Sequence, residues 1–334
     1  MSKRNSNVPK ELLICVHLWL ILILSLAVTA QVRPIYDRGA TGLVQMLKRL
    51  NSSASVLMIG AHPDDEDTAL LAYLARGESA RTAYLSLTRG DGGQNIIGPE
   101  LGEALGLIRT EELLQARNLD GAEQFFTRAY DYGFSKTLAE ARQKWDEKVI
   151  LCDAVRVIRH FRPLVVVSQF SGTAADGHGQ HQFAGYIAPI AVKAAADASQ
   201  CDGAGPTWKV TKFYVRHRGA GEPKVRVNTG RYDPILGRSY FEIAMEARSQ
   251  HKSQEQGVLE LRGAQYSSMN PASDDSFASG MFEGLEVSIT GAAARLGISG
   301  SGDRKSLSDI EAASSAALRE LSVLTPDTIL PKLV

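Results

Sequence analysis

Residues 56–66, VLMIGAHPDDE, set a short apolar run against a histidine, a proline and three consecutive acids. Residues 56–59 form the continuous apolar run of a strand buried on both faces, and Gly60-Ala61 ends it. Pro63 then predicts a helix start, because its ring fixes φ and its missing N–H is no loss in a first turn. Asp64, Asp65 and Glu66 fall in that turn, where the helix dipole favours negative charge. With that geometry His62 and Asp65, three residues apart, face one point, as two ligands of one metal ion would need. Asp64 points elsewhere, toward whatever the ion binds. Acids in a first helical turn are also ordinary capping, so this stretch alone leaves both readings open.

A second cluster repeats the arrangement. Asp176-Gly177-His178-Gly179-Gln180-His181 follows another apolar run at 164–167 and precedes a helical pattern from about Phe183 to Ala198. In an open parallel α/β sheet the loops at the carboxyl ends of the strands line the binding crevice. Strands far apart in sequence thereby deliver His62, Asp65 and His181 to one place.

Working outward, a helix is expected over about 65–75, a strand over 82–87, a long helix over 101–124, a short strand at 125–127 and an amphipathic helix over 144–161. A further strand is expected at 212–215 and a helix over 240–254. This alternation predicts an α/β fold, a Rossmann-like, mostly parallel sheet with helices on both faces, plus a less regular C-terminal extension. The glycine-rich segment Thr88-Arg89-Gly90-Asp91-Gly92-Gly93-Gln94 lacks the dinucleotide spacing and follows the second strand rather than the first. Its Arg-Gly-Asp triplet reads as a tight turn. Residues 267–303, rich in Ser, Gly and Asp, read as a linker or long surface loop before a last helix near 310–324, with Ser308 and Glu311 as its caps.

Lys3, Arg4 and Lys10 precede an apolar run over 12–28, and Val28-Thr29-Ala30 offers small residues before Gln31, which reads as a cleaved signal peptide. An uncleaved anchor is the alternative. The expected organisation is thus a signal at 1–30, a lead-in at 31–54, a catalytic domain at 55–260, and a linker with a C-terminal helix at 261–334. The expected location is secreted or periplasmic, with no membrane span left after cleavage. Of 37 basic and 37 acidic residues, Lys3, Arg4, Lys10 and Glu11 leave with the signal, so 34 and 36 remain, a formal charge of −2. That balance predicts no nucleic-acid surface. Cys152 and Cys201 remain of three cysteines, either as a disulfide or as buried free thiols. His160 reads as a helix C-terminal partner, His217 as a surface residue, and Trp145 and Trp208 as packing residues.

GAHPDDE after the first strand, Arg109-x-x-Glu112 on the following long helix and a late His178-x-x-His181 together resemble the PIG-L/LmbE-like zinc-dependent N-acetylglucosaminyl deacetylases over about residues 55–254. The family removes acetyl groups from N-acetylglucosaminyl compounds, so the resemblance implies amide hydrolysis on an amino sugar or glycoconjugate. Carried over residue by residue, it implies His62, Asp65 and His181 as metal ligands, Asp64 as general base, His178 as oxyanion stabiliser and Arg109 as a sugar contact. Residues 248–254, RSQHKSQ, resemble a later family motif. The family often has an aspartate where this chain has Gln180, which bears on the protonation of His178.

The chemistry is consistent on its own terms. Two histidines and a carboxylate with an open position suit hydrolytic Zn2+, which lowers the pKa of a bound water to about 7. Asp64 would accept the water's proton, while zinc and a protonated His178 would stabilise the oxyanion. Fe2+ is the alternative metal in the same site, since two histidines and a carboxylate also make the facial triad of non-haem iron oxygenases. The competing class is a secreted carbohydrate-binding or interaction module with a non-catalytic metal. Loops at 94–100 and 130–136 are expected to shape the pocket.

Overall fold

The computed structural model describes residues 36–257, 259–272 and 280–333. The export signal expected at 1–30 lies outside the described residues. From Asp37 onward the chain forms one unit. In order, its elements are α1 (Gly39–Leu50), β1 (Ser55–Gly60), α2 (Thr68–Ala72), β2 (Arg81–Ser86), α3 (Glu103–Asp120), β3 (Glu123–Phe126), α4 (Leu138–Lys144), α5 (Glu147–Phe161) and β4 (Val165–Ser168). They continue with α6 (Gly179–Ala195), β5 (Lys212–Arg216), β6 (Val225–Asn228), the paired β7 (Tyr232–Asp233) and β8 (Arg238–Ser239), α7 (Tyr240–Arg248), β9 (Tyr266–Pro271), α8 (Ile289–Arg295) and α9 (Ser301–Glu320).

Seven strands form the main sheet in the order β3-β2-β1-β4-β5-β9-β6. The first five are parallel; β9 runs antiparallel to both β5 and β6. The strand order reverses between β1 and β4, the switch point at which an open α/β sheet leaves a crevice at its carboxyl edge. Strand periodicity explains why β1 is apolar throughout: Val56 and Met58 pack on one face with Leu70, Leu71 and Leu113, while Leu57 and Ile59 pack on the other with Ala154, Ile158 and Ala188. Helices α2 and α3 therefore cover one face, and α5 and α6 the other.

Three expected boundaries differ in ways that bear on the site. No helix begins at Pro63 or Asp65: Asp64 has φ +130°, a conformation no helix tolerates, and α2 starts at Thr68 with Asp67 accepting a hydrogen bond from the Leu70 N–H at 3.0 Å. Residues 62–66 are instead a tight loop. Helix α6 begins at Gly179 rather than near Phe183, because its first turn is polar and carries no apolar periodicity. The stretch read as a linker contributes β9 to the sheet, and the last helix runs over 301–320 with no side-chain cap at Gly300. This helix packs Ala317 against Leu47 of α1. Among the described residues, no helix is long and apolar enough to cross a membrane.

Cys152 of α5 and Cys201, just beyond α6, form a disulfide. This resolves the open choice between a bonded pair and free thiols.

Candidate metal centre and active site

Strand β1 ends at Gly60, where the Tyr84 hydroxyl occupies the space a β-carbon would take and donates to the His62 carbonyl at 2.6 Å. The chain then turns sharply. Asp65 Oδ2 accepts from the backbone N–H groups of Ala61 at 3.0 Å and His62 at 2.7 Å, so the carboxylate is fixed by the loop it belongs to. Its two oxygens face two histidines: Oδ2 lies 3.2 Å from His62 Nδ1, and Oδ1 lies 3.2 Å from His181 Nε2. The β1 and β4 loops thus meet at the switch point.

His178 joins them. One ring nitrogen from each of His62, His178 and His181 falls within a group 4.8 Å across, and the His178 and His181 ring centroids are 4.0 Å apart. Four residues therefore compete for three ligand roles, and their hydrogen bonds distinguish them. His62 Nε2 bonds the Gln180 side-chain carbonyl, whose amide in turn donates to Asp131 Oδ1 at 3.0 Å and to the Gly133 carbonyl at 2.8 Å. With its proton on Nε2, His62 turns the Nδ1 lone pair toward Asp65. His181 Nδ1 lies 3.1 Å from the Asp176 carbonyl, which leaves the Nε2 lone pair facing the same carboxylate. His178 is the N-cap of α6 and its Nδ1 accepts from the Gln180 N–H at 3.3 Å, so in the neutral ring the proton sits on Nε2. The donor set His62 Nδ1, Asp65 and His181 Nε2 fits a divalent metal, with second-shell bonds of the usual kind; His178 is arranged as a hydrogen-bond donor.

Electrostatics agree with that division. Burial alone would strip the proton from His62, but Asp65, Asp131 and Asp64 outweigh it and raise its pKa to about 9. The carboxylates that retain a proton there suit a cation in its place. Asp65 is held well below the carboxylate range despite burial, by His62 and His181. His178 is lowered to about 4 by burial and by the neighbouring His181 and His62. Both effects favour the neutral ring near pH 7, whereas the sequence reading has His178 protonated. Gln180, expected to bear on His178, instead bonds His62 with its side chain.

Asp64 lies in the same cavity of about 430 Å³, whose wall includes His62, Arg109, Phe134, His178 and His181. Its strained backbone is held from several sides. The Asp64 N–H donates to Glu66 Oε2 at 3.0 Å, its carbonyl accepts from Arg248 at 3.2 Å, and its carboxylate pairs with Arg109 at 3.1 Å. Burial raises the Asp64 pKa against the lowering effect of Arg109. Arg109 also donates to the carbonyls of Pro63 at 2.6 Å and Gly90 at 3.2 Å. The glycine-rich loop is thus a packing device: a β-carbon on Gly90 would collide with Arg109, and one on Gly92 with the Asp131–Gly133 backbone.

Sequence reasoning missed several supporting residues. Glu66 is buried between Arg117 at 3.1 Å and His251 at 3.0 Å, which gives the later RSQHKSQ motif a structural role. Glu112 of the Arg-x-x-Glu pair accepts from the Ser253 N–H at 2.6 Å and hydroxyl at 2.7 Å, tying α3 to the same motif. Phe170 stacks on His181 at 4.1 Å, and Asp131 reaches within 4.0 Å of His62. Asp131 and Phe134 come from one of the two loops expected to shape the pocket, but only the fold shows which residues face inward.

Fold and site together define a class, a doubly wound α/β protein with a histidine–carboxylate centre at its switch point. Residues 57–192 match the family model described as PIG-L: GlcNAc-PI de-N-acetylase. Relatives include the 1D-myo-inositol 2-acetamido-2-deoxy-alpha-D-glucopyranoside deacetylases of Geodermatophilus obscurus and Rhodococcus erythropolis. The first is 34% identical over 183 residues, 49% of this chain and 62% of that protein. The second is 34% identical over 180 residues, 49% and 60% respectively. The chain thus spans less than two thirds of the length of these relatives. The solved N,N'-diacetylchitobiose deacetylase from Pyrococcus horikoshii aligns with a TM-score of 0.47 and 17% identity over 61% of this chain and 71% of that one. The likeness to the PIG-L family is thus carried by residues 57–192.

Proposed function

We propose that this protein is an exported, zinc-dependent N-deacetylase that removes the acetyl group from an N-acetylglucosaminyl substrate. The observation that carries the reading is the convergence of His62 Nδ1 and His181 Nε2 on the two oxygens of Asp65, with Asp64 on the wall of the same cavity. The family match and the relatives named as deacetylases of an N-acetylglucosaminyl inositol support it. The Cys152–Cys201 disulfide supports export, because such bonds persist in oxidising compartments.

His62, Asp65 and His181 would hold the zinc ion, which supplies Lewis acidity and lowers the pKa of a water to about 7. Asp64 takes the proton from the water that attacks the acetyl carbonyl carbon. Its raised pKa brings it nearer the operating range of a general base, and Arg109 fixes its orientation. The neutral His178 donates its Nε2–H to the developing oxyanion. As the C–N bond breaks, Asp64 returns the proton to the sugar nitrogen, giving acetate and the free amine. Arg109 lines the cavity beside Asp64, where it would also meet the sugar.

The test is free-amine release from a panel of N-acetylglucosamine compounds by the mature protein, as purified, after chelation and after zinc is restored. Release that stops on chelation and returns with zinc is expected. Asp64→Asn should lower kcat by about 10²–10⁴-fold while leaving the metal content unchanged. Unimpaired turnover in that variant would remove Asp64 from the mechanism.

A further inference from the structure

A second cavity, of about 390 Å³, shares Asp64 and Asp65 with the first and has no part in the reaction just described. Arg216 and Arg218, at and just beyond the carboxyl end of β5, line it together with Thr68 of α2 and Arg248 of α7. Four acids also line it, but each is engaged. Asp64 pairs with Arg109, Asp65 faces the two histidines, Glu66 is held by Arg117 and His251, and Asp67 caps α2. Arg248 is likewise engaged, donating to the Asp64 carbonyl at 3.2 Å and to Gln256 at 2.8 Å.

Two groups remain. Arg218 has no acid within 4.0 Å among the described residues; its guanidinium lies over the Phe170 ring at 4.7 Å, and that ring stacks on His181. Arg216 stands beside it, anchored by Gln169 at 3.1 Å and only loosely by Asp67 at 3.9 Å. Although Arg218 is exposed as a residue, partial desolvation and the like charge of Arg216 outweigh Asp65, Asp176 and Asp67 and disfavour its charged form, a cost that a bound anion would relieve. The Thr68 hydroxyl, on a residue 2% exposed, has no hydrogen-bond partner among the described residues. Two adjacent arginines, one without a counter-charge, and an unpartnered buried hydroxyl lining the same cavity are suited to an oxyanion, because the guanidinium fork matches phosphate geometry.

We infer that this cavity is an anion subsite, in which Arg218, with Arg216 and Thr68, receives a phosphate group carried by the amino-sugar substrate. The inference deepens the deacetylase reading in taking the neighbouring cavity as the seat of the acetamido group. It sets the substrate class as a phosphorylated N-acetylglucosaminyl compound rather than a neutral glycan.

The test measures binding and turnover separately. Binding of N-acetylglucosamine phosphorylated at C1 or at C6 is compared by calorimetry with that of the neutral methyl glycoside, on the metal-free and the zinc-loaded protein, and amine release is followed on the same compounds. At least one phosphorylated sugar should bind about tenfold or more tightly than the neutral one. Arg218→Ala should narrow that preference to within about twofold, and Arg218→Lys should retain part of it. Preferential binding without amine release would sustain the subsite and overturn the deacetylase reading. Amine release with equal affinity for neutral and phosphorylated sugars would overturn the subsite and sustain the deacetylase. An undiminished preference in a folded Arg218→Ala protein would overturn the role of Arg218.

Discussion

Gln180 shows how one uncharged side chain sets the chemistry of a charged site. Its carbonyl receives the His62 Nε2–H while its amide is fixed by Asp131 and Gly133, so Asp131 acts on His62 through a neutral relay. That bond selects the tautomer in which Nδ1 can ligate a metal. Gln180→Leu keeps the volume but removes the relay, and should weaken zinc affinity by about 10–100-fold in a competition titration against a chelator of known affinity. Unchanged affinity would mean that Asp65 alone orients His62. At this scale the sequence was legible where local pattern alone marks a residue for the cavity, as with His62, Asp64, Asp65, His178 and His181, which line it together. Gln180 and Asp131 were not legible in their true roles, because 49 residues separate two groups that only the fold brings together.

Between residues and fold, the β3–α4 loop is the element that closes the site, since it carries both Asp131 and Phe134. Its start is pinned by Asp153 of α5, which accepts from the Arg128 N–H at 3.0 Å and Nε at 2.9 Å, and from Arg156 at 2.9 Å. Burial works against the Asp153 charge, but these donors outweigh it and hold its pKa below the ordinary 3.8. A depressed folded-state pKa means stability that is complete above the unfolded value and is lost as pH falls through the folded one. Asp153→Asn should therefore melt below wild type at neutral pH, with the gap closing as pH is lowered through and beneath 3.8. A pH-independent gap would show that packing, not charge, sets the contribution of Asp153. The boundaries of α2 and α6 illustrate the limit of periodicity. Asp64 is taken out of a helix by contacts from α3 and α7, and the first turn of α6 is polar because its side chains build the site.

Across the whole molecule, the parallel half of the sheet was legible because each of its central strands is an apolar run followed by a helix. The antiparallel half was not. Strand β9, YSSMNP, is short and largely polar, and it pairs with strands about forty to sixty residues earlier, so no local pattern marks it. The disulfide belongs to this scale as well, since it ties α5 to the chain leaving α6 across a separation of 49 residues. A loop of that length predicts about 4 kcal/mol of stabilisation, the top of the usual range of about 2–4 kcal/mol. Arg159 bridges the same two segments, donating to the carbonyls of Ala194 at 3.1 Å, Ala195 at 3.1 Å and Asp197 at 2.7 Å at the end of α6. These bonds hold the native arrangement when the disulfide is reduced, so the loss should be that of the constraint on the unfolded chain, about 2–4 kcal/mol. Thermal melts of the wild type with and without reductant, beside the Cys152→Ser/Cys201→Ser double variant, measure it. Reduced wild type and double variant should melt together, several degrees below the oxidised protein. Adding Arg159→Ala to the double variant should cost more than Arg159→Ala costs in the oxidised protein, because the end of α6 is then held to α5 by apolar packing without the covalent and hydrogen-bonded ties. Strictly additive losses would show that the two ties act independently.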